Sequence, residues 1–186
     1  MRTDYIPETD IARLDAVLRV RLKPERYAHT QRVLDMALEM GRIYGEDPEK
    51  IRLAALFHDY CKDSSKENNA LAHAGEAADI LKNEYGVTDE DVLNAVRYHT
   101  TGRKDMSRLE LIIFLADTLE TGRTYAGADR LRSLAYTDLY ACGLAVLTEL
   151  KVYLDQNGFE MGRDGDEAIA WLREARTEGT SNEKNI

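Results

Sequence analysis

The chain has 186 residues, 44% of them hydrophobic and 32% charged, which is the balance of one soluble globular domain and excludes global disorder. Its 25 Lys and Arg against 34 Asp and Glu leave a net charge of −9, which disfavours nucleic acid or an anionic membrane as partner, because both require a basic surface. No apolar run reaches the ~20 residues of a membrane span, and Cys61 and Cys142 form neither a C-x-x-C pair nor a disulfide framework. The opening MRTDYIPETD lacks a secretory pattern, so a reducing, cytoplasmic setting is expected.

Helical periodicity fills the chain, and no segment alternates as a strand would. Thr9 or Asp10 can cap a first helix carrying Ile11, Leu14, Val17, Leu18 and Leu22. Pro24 suits the first turn of a second, with Val33, Leu34, Ala37 and Met40 inward and Gly45 closing it at about Tyr44. Asp47-Pro48 starts a third helix, with Ile51, Ala54, Ala55 and Phe57 as its apolar positions. A polar stretch from Asp63 to Asn69 interrupts the pattern. A fourth helix is expected from about Ala70 to Tyr85, ended by Gly86, and Thr88 is the expected cap of a fifth that reaches about His99. Thr100-Thr101-Gly102-Arg103 reads as a loop. Ser107 caps a strongly apolar helix, LELIIFLA; Asp138 opens a long one through Leu154; and Asp166 begins a last helix holding Trp171. The polar tail from Thr177 to Ile186 is expected to fray. The fold class that follows is all-α, in one domain.

The chain has four histidines, His29, His58, His73 and His99, each within or at the end of a predicted helix. Taken singly, packing or solvation explains any one of them better than metal binding does. Asp117 is different, because it follows an almost unbroken apolar run and so faces the interior. A buried carboxylate without a partner costs on the order of several kcal/mol, and a metal or a cationic ligand removes that cost. Four cations stand beside these residues. Arg32 lies three residues after His29 and Lys62 three after Asp59, which puts each on nearly the same helix face as its neighbour. Arg103 ends the loop, and Arg123 is three after Glu120. Each is either a phosphate contact or a surface side chain paired with a nearby acid. Cys61 and Cys142 read as buried fillers, Trp171 as core, and Tyr60, Tyr98 and Tyr125 as packing or base-stacking residues.

The order His, His-Asp, His, His, Asp resembles the HD-domain phosphohydrolases, an all-α superfamily. The stretches RYAHTQRVLDMALEM, LAALFHDYCKD, RYHTTGRKDMSRLELIIFLADTLETGR and GADRLRSLAYTDL narrow this to one group. They resemble the symmetrical bis(5'-nucleosyl)-tetraphosphatases, which split diadenosine tetraphosphate into two ADP. The resemblance implies an HD-domain helical bundle over residues 1–186. Its metal core would span about 24–125, and C-terminal accessory helices about 138–176. It implies a dinuclear centre held by His29, His58, Asp59, His73, His99 and Asp117, with Asp59 bridging. The metal would be iron, while the donors also admit Mn, Co, Mg or Zn. Metal-bound hydroxide would be the nucleophile. Asp59 and Lys62 would be catalytic, and Arg32, Lys62, Thr100, Gly102, Arg103 and Arg123 would bind the nucleotide. A homodimer is admitted by analogy, with neither nucleic acid nor membrane as partner. The competing readings are an HD phosphohydrolase acting on a nucleoside monophosphate or a guanosine polyphosphate alarmone, a nucleotide sensor without catalysis, and a metal-free helical scaffold. Two features depart from the family pattern: the segment Cys61–Leu71 is short, and Ala170 stands where an Asn is common.

Overall fold

In a computed structural model describing residues 8–63 and 71–182, helices carry the fold and no strand occurs among the described residues. They are α1 (Glu8–Arg21), α2 (Pro24–Tyr44), α3 (Pro48–Phe57), α4 (Ala72–Asn83), α5 (Glu90–Arg97), α6 (Arg108–Leu119), α7 (Ala128–Ala135), α8 (Leu139–Gln156) and α9 (Arg163–Asn182). The ends of α2 follow from the chemistry of Pro24, whose missing N–H costs nothing in a first turn, and of Gly45, which takes φ 70°. Asp47 caps α3 through the Glu49 N–H. Ser107 and Glu110 form a reciprocal capping box at the start of α6.

α6 organises the rest. Leu109, Leu111, Ile112, Ile113, Phe114, Leu115 and Ala116 are all buried, so this helix is covered on every side. It packs against α2, α3, α5, α7 and α8, and α9 packs on α8. The end of α6 therefore opens at the centre of the bundle, where α2, α3, α4 and α5 bring their own polar residues.

Several boundaries differ from expectation. Thr9 and Asp10 lie inside α1 rather than capping it, and Val17 is exposed while Leu14, Leu18 and Leu22 are buried. Asp89, not Thr88, caps α5: its carboxylate accepts from the N–H groups of Asp91 and Val92 at 3.0 and 3.3 Å. α5 ends at Arg97, and His99 stands in the turn beyond it. α7 had no counterpart in the sequence reading; it buries only Ala128, Leu131 and Ala135, a short apolar signal. α9 begins at Arg163, three residues before Asp166, and continues through Thr177 to Asn182. Most of the polar break before His73, including Ala70, lies outside the described residues, as does the end of the tail. Both cysteines are buried and unpaired, and the Cys142 thiol donates to the Leu131 carbonyl at 3.3 Å. No helix among the described residues is long and apolar enough to cross a membrane.

Candidate metal centre

Five elements converge on one buried cluster. α2 presents His29, the end of α3 and its following turn present His58 and Asp59, α4 presents His73, the turn after α5 presents His99, and α6 presents Asp117. The four histidines and Asp59 are buried, and Asp117 is half-buried. They form two groups, His29–His58–Asp117 and Asp59–His73–His99, with the candidate ligand atoms of each within 4.8 Å of one another. Asp59 lies between them. Its Oδ1 is 3.3 Å from His73 Nε2 and 3.7 Å from His99 Nε2. Its Oδ2 is 3.9 Å from His29 Nε2 and 3.7 Å from His58 Nε2.

The ring nitrogens facing away from the cluster explain its chemistry. His58 Nδ1 is 2.6 Å from the Ala55 carbonyl oxygen, and His99 Nδ1 is 2.8 Å from that of Val96. A carbonyl can only accept, so in the neutral rings the proton sits on Nδ1 and the Nε2 lone pairs turn inward. His29 Nδ1 faces Glu120 Oε1 at 3.2 Å, with the same consequence. His29 Nε2 then meets Asp117 Oδ1 at 3.0 Å, acceptor against acceptor. His29 Nε2 and His58 Nε2 are buried without a hydrogen-bond partner. Acceptors crowded in this way demand a cation, and nitrogen and carboxylate donors together fit a divalent metal. The charges agree. Burial pushes the His58 imidazole down to about 4, which keeps it neutral as a ligand must be. Burial works against ionisation of Asp59, but His58, His73 and His99 outweigh it and hold the carboxyl far below its ordinary value.

The predicted substrate residues separate by their partners. Lys62 Nζ lies 3.2 Å from His73 Nε2, beside the second group. Arg123 donates to Asp117 Oδ1 at 3.1 Å. Arg32 pairs with Glu120, which is buried and also accepts from the Gly122 N–H. A Cβ at position 122 would stand 2.7 Å from the Arg32 guanidinium, so a side chain there would displace the end of Arg32. Thr100 follows His99 in the turn, and Gly102 holds φ 64°. Arg103 turns to Glu110 instead, at 2.6 and 2.7 Å, and covers the Tyr98 ring. Tyr60 stacks on Phe57 at 4.8 Å, a packing role, and Trp171 meets Tyr140 at 5.8 Å. Ala170 is exposed on α9.

Two residues of the site escaped sequence reasoning. Arg26 donates to Asp59 Oδ2 at 2.8 Å; its only signal was its place one turn before His29. Glu120, one turn after Asp117, holds both His29 and Arg32. Burial works against its ionisation, but Arg32, the Gly122 N–H and His29 hold it at about 2.

Two cavities flank the cluster. One, of about 390 Å³, is polar; Lys23, Arg26, Arg32 and Arg123 line it with His29 and Glu120. The other, of about 540 Å³, is lined by His99 and Asp117 and by apolar side chains of α6, α7 and α8.

This fold, with histidines and aspartates gathered from five elements at its centre, is that of an HD-domain protein, and residues 26–122 match the HD domain family. The chain is 37% identical over 175 residues to the symmetrical bis(5'-nucleosyl)-tetraphosphatase of Bacillus subtilis, covering 84% of this chain and 94% of that protein. It is 35% identical over 145 residues to the protein of the same name from Staphylococcus aureus, covering 68% and 75%. Its fold matches the crystal structure of a predicted HD superfamily hydrolase involved in NAD metabolism from Clostridium acetobutylicum, with a TM-score of 0.79 and 32% identity over 88% of this chain and 97% of that one. The chain belongs to the family of symmetrical bis(5'-nucleosyl)-tetraphosphatases.

Proposed function

We propose that this chain cleaves diadenosine tetraphosphate symmetrically, releasing two ADP, at a dinuclear metal centre held by His29, His58, Asp59, His73, His99 and Asp117. The observation that carries the reading is Asp59, whose two carboxylate oxygens face the two ligand groups separately. The names of its relatives support the substrate. Iron is the proposed metal, on the family resemblance. The donor set alone also admits manganese, cobalt, magnesium or zinc.

Bound metal ions would activate water as a nucleophile and polarise a phosphoryl oxygen. The protein's own side chains do the rest. Phosphoryl transfer is governed by positioning and charge, and the polyphosphate brings several negative charges to an acidic protein. Arg26, Arg32 and Arg123 supply the local cations on one side, where the polar cavity admits a phosphate chain. Lys62, held beside His73, places a further positive charge where the second group meets the phosphate. Thr100 touches substrate from beside His99, and Gly102 sets the path of that loop. Asp59 and Lys62 are the proposed catalytic residues. A cytoplasmic setting belongs to the same reading, supported by two unpaired buried cysteines. So does the absence of nucleic-acid and membrane partners, supported by the net charge of −9.

The test is product analysis by chromatography after incubating iron-loaded, reduced protein with diadenosine tetraphosphate. ADP as the sole nucleotide product, abolished by chelation, is the expected result. AMP with ATP would overturn symmetrical cleavage. No turnover by metal-loaded protein would overturn the substrate and turn the search to nucleoside monophosphates and guanosine polyphosphates.

A further inference from the structure

We infer that Arg21, the last residue of α1, is a positioning residue for the proposed reaction: it fixes the turn that carries Asp59 and Lys62. The inference rests on the proposed function and brings in a helix that precedes the HD match, which begins at residue 26. After α3 the chain runs through successive turns from His58 to Asp63. Within them the Tyr60 N–H donates to the Phe57 carbonyl and the Lys62 N–H to the Asp59 carbonyl, both at 3.0 Å. Carbonyls at and beyond a helix end need partners from elsewhere. Arg21 supplies one, as its Nε donates to the Tyr60 carbonyl at 3.1 Å. The same guanidinium lies over the Tyr60 ring, 4.2 Å from the centroid, where the ring face attracts a cation. One side chain thus holds both the backbone and the ring of the residue that follows Asp59.

A second tie closes the other end of the turn. In the corner between α1 and α2, the Lys23 N–H donates to Asp63 Oδ2 at 3.2 Å. Lys62 lies between the two ties, and Asp59 stands just before the first. α1 has a firm seat from which to act. Leu14, Leu18 and Leu22 are buried, and the helix packs on α3 and α2. Asp15 accepts from the Tyr27 hydroxyl at 3.0 Å and from Gln31 at 2.9 Å, and these α2 residues stand on either side of His29. α1 therefore grips both the helix that presents His29 and the turn that presents Asp59. The two ligand groups depend on that turn unequally. His58 is oriented by the Ala55 carbonyl of α3 itself, and Asp117 stands on α6. The second group has Asp59 as its carboxylate, with Lys62 beside His73. A loosened turn shifts both against His73 and His99.

Arg21 is exposed, so its variants are expected to fold as the parent does. Arg21→Met keeps much of the side chain's length and loses the donor and the charge. Arg21→Lys keeps a donor and the charge. Arg19→Ala is the control, because it removes a like contact from the same helix, to the Tyr27 hydroxyl at 3.4 Å, and leaves the turn alone. Manganese affinity and stoichiometry, melting temperature, and kcat and KM for diadenosine tetraphosphate are measured on each. In Arg21→Met, kcat should fall about tenfold or more, with a smaller change in KM, since a misplacement of ~1 Å can cost ~100-fold. One of two manganese equivalents should weaken by about tenfold, the scale of losing a partner outside the ligands themselves. Arg21→Lys should recover most of both, and Arg19→Ala should match the parent. Parent values in folded Arg21→Met would overturn the inference. Equal losses in Arg21→Met and Arg19→Ala would overturn it too, by showing a general loosening of α1. A parent that binds manganese but cleaves nothing removes only the substrate, and the manganese titration of the variants then decides Arg21. A parent that binds no manganese removes the metal centre and this inference with it.

Discussion

Arg103 grips the buried carboxylate of Glu110 with two guanidinium nitrogens, at 2.6 and 2.7 Å, while Glu110 Oε1 also accepts the Ser107 N–H at 3.2 Å. One carboxylate thus ties the loop after His99 to the first turn of α6. With two nitrogens engaged in this fork, Arg103 holds the loop, in addition to the phosphate contact that the family resemblance implies for it. Arg103→Ala leaves Glu110 charged and buried without its partner, which costs about 3 kcal/mol for a broken buried pair. For a chain of this size the melting temperature should fall by roughly 6–12 °C. Arg103→Lys should recover only part of this, because an ammonium cannot reproduce the fork. Calorimetry checks the fall. An unchanged melting temperature with a raised KM would leave Arg103 to the substrate alone.

Glu120 is a positioning residue on the same logic. It faces His29 Nδ1 at 3.2 Å and fixes which nitrogen of that ring is turned to the cluster. Glu120→Ala should lower metal affinity by about 10–100-fold, the usual effect of losing an outer partner of a ligating histidine. Glu120→Gln, which keeps an acceptor oxygen, should recover part of the affinity. Metal titration of the folded variants reads this directly, and equal affinity in the parent and Glu120→Ala would end the assignment.

The six candidate ligands were legible because the chain has only four histidines and because the order His, His-Asp, His, His, Asp carries the family resemblance. The ends of α2 were legible because Pro24 and Gly45 act locally. What escaped depends on distance in the chain. Glu120 meets Arg32 and His29 only after α2 and α6 pack, and nothing near Glu120 in sequence announces them. The apolar cavity draws Phe114, Leu131 and Val146 from three helices, each of which reads alone as ordinary core. α7 was missed because eight residues with three buried positions make too short a period to stand out. The capping error was finer still: Thr88 and Asp89 are both good caps, and only the bonds to the Asp91 and Val92 N–H groups choose between them.

Alkaline pH should destabilise the fold. Burial pushes the Cys142 thiol up to about 12 from an ordinary 9.0. Burial, with a hydrogen bond to Tyr60, raises Tyr85 to about 12, and burial, with a bond to Glu39, raises Tyr136 to about 12, both from 10.0. All three are neutral when protonated. Above its ordinary pKa each group loses its proton in the unfolded chain and keeps it in the folded one, so the unfolded state gains. Stability from these groups is complete below pH ~9 and is lost as pH rises toward ~12. The urea midpoint should therefore be level from pH 7 to 8.5 and fall by pH 10.5. Tyr136→Phe should flatten part of the slope. A midpoint that held steady or rose would contradict the assignment.

Asp59 offers the sharpest test of the paired groups. Asp59→Asn keeps the shape but removes the charge that faces both of them and that accepts from Arg26 at 2.8 Å. A metal at a thousand times its Kd stabilises a folded protein by about 4 kcal/mol, or roughly 8–16 °C for a chain this long. The parent should show that rise on adding iron or manganese under reducing conditions, and chelation should reverse it. Asp59→Asn should show almost none, bind little metal at either group, and cleave no diadenosine tetraphosphate. Loss of one equivalent of metal with the other retained would place Asp59 in a single group rather than between two. Two equivalents retained would remove it from the metal centre altogether.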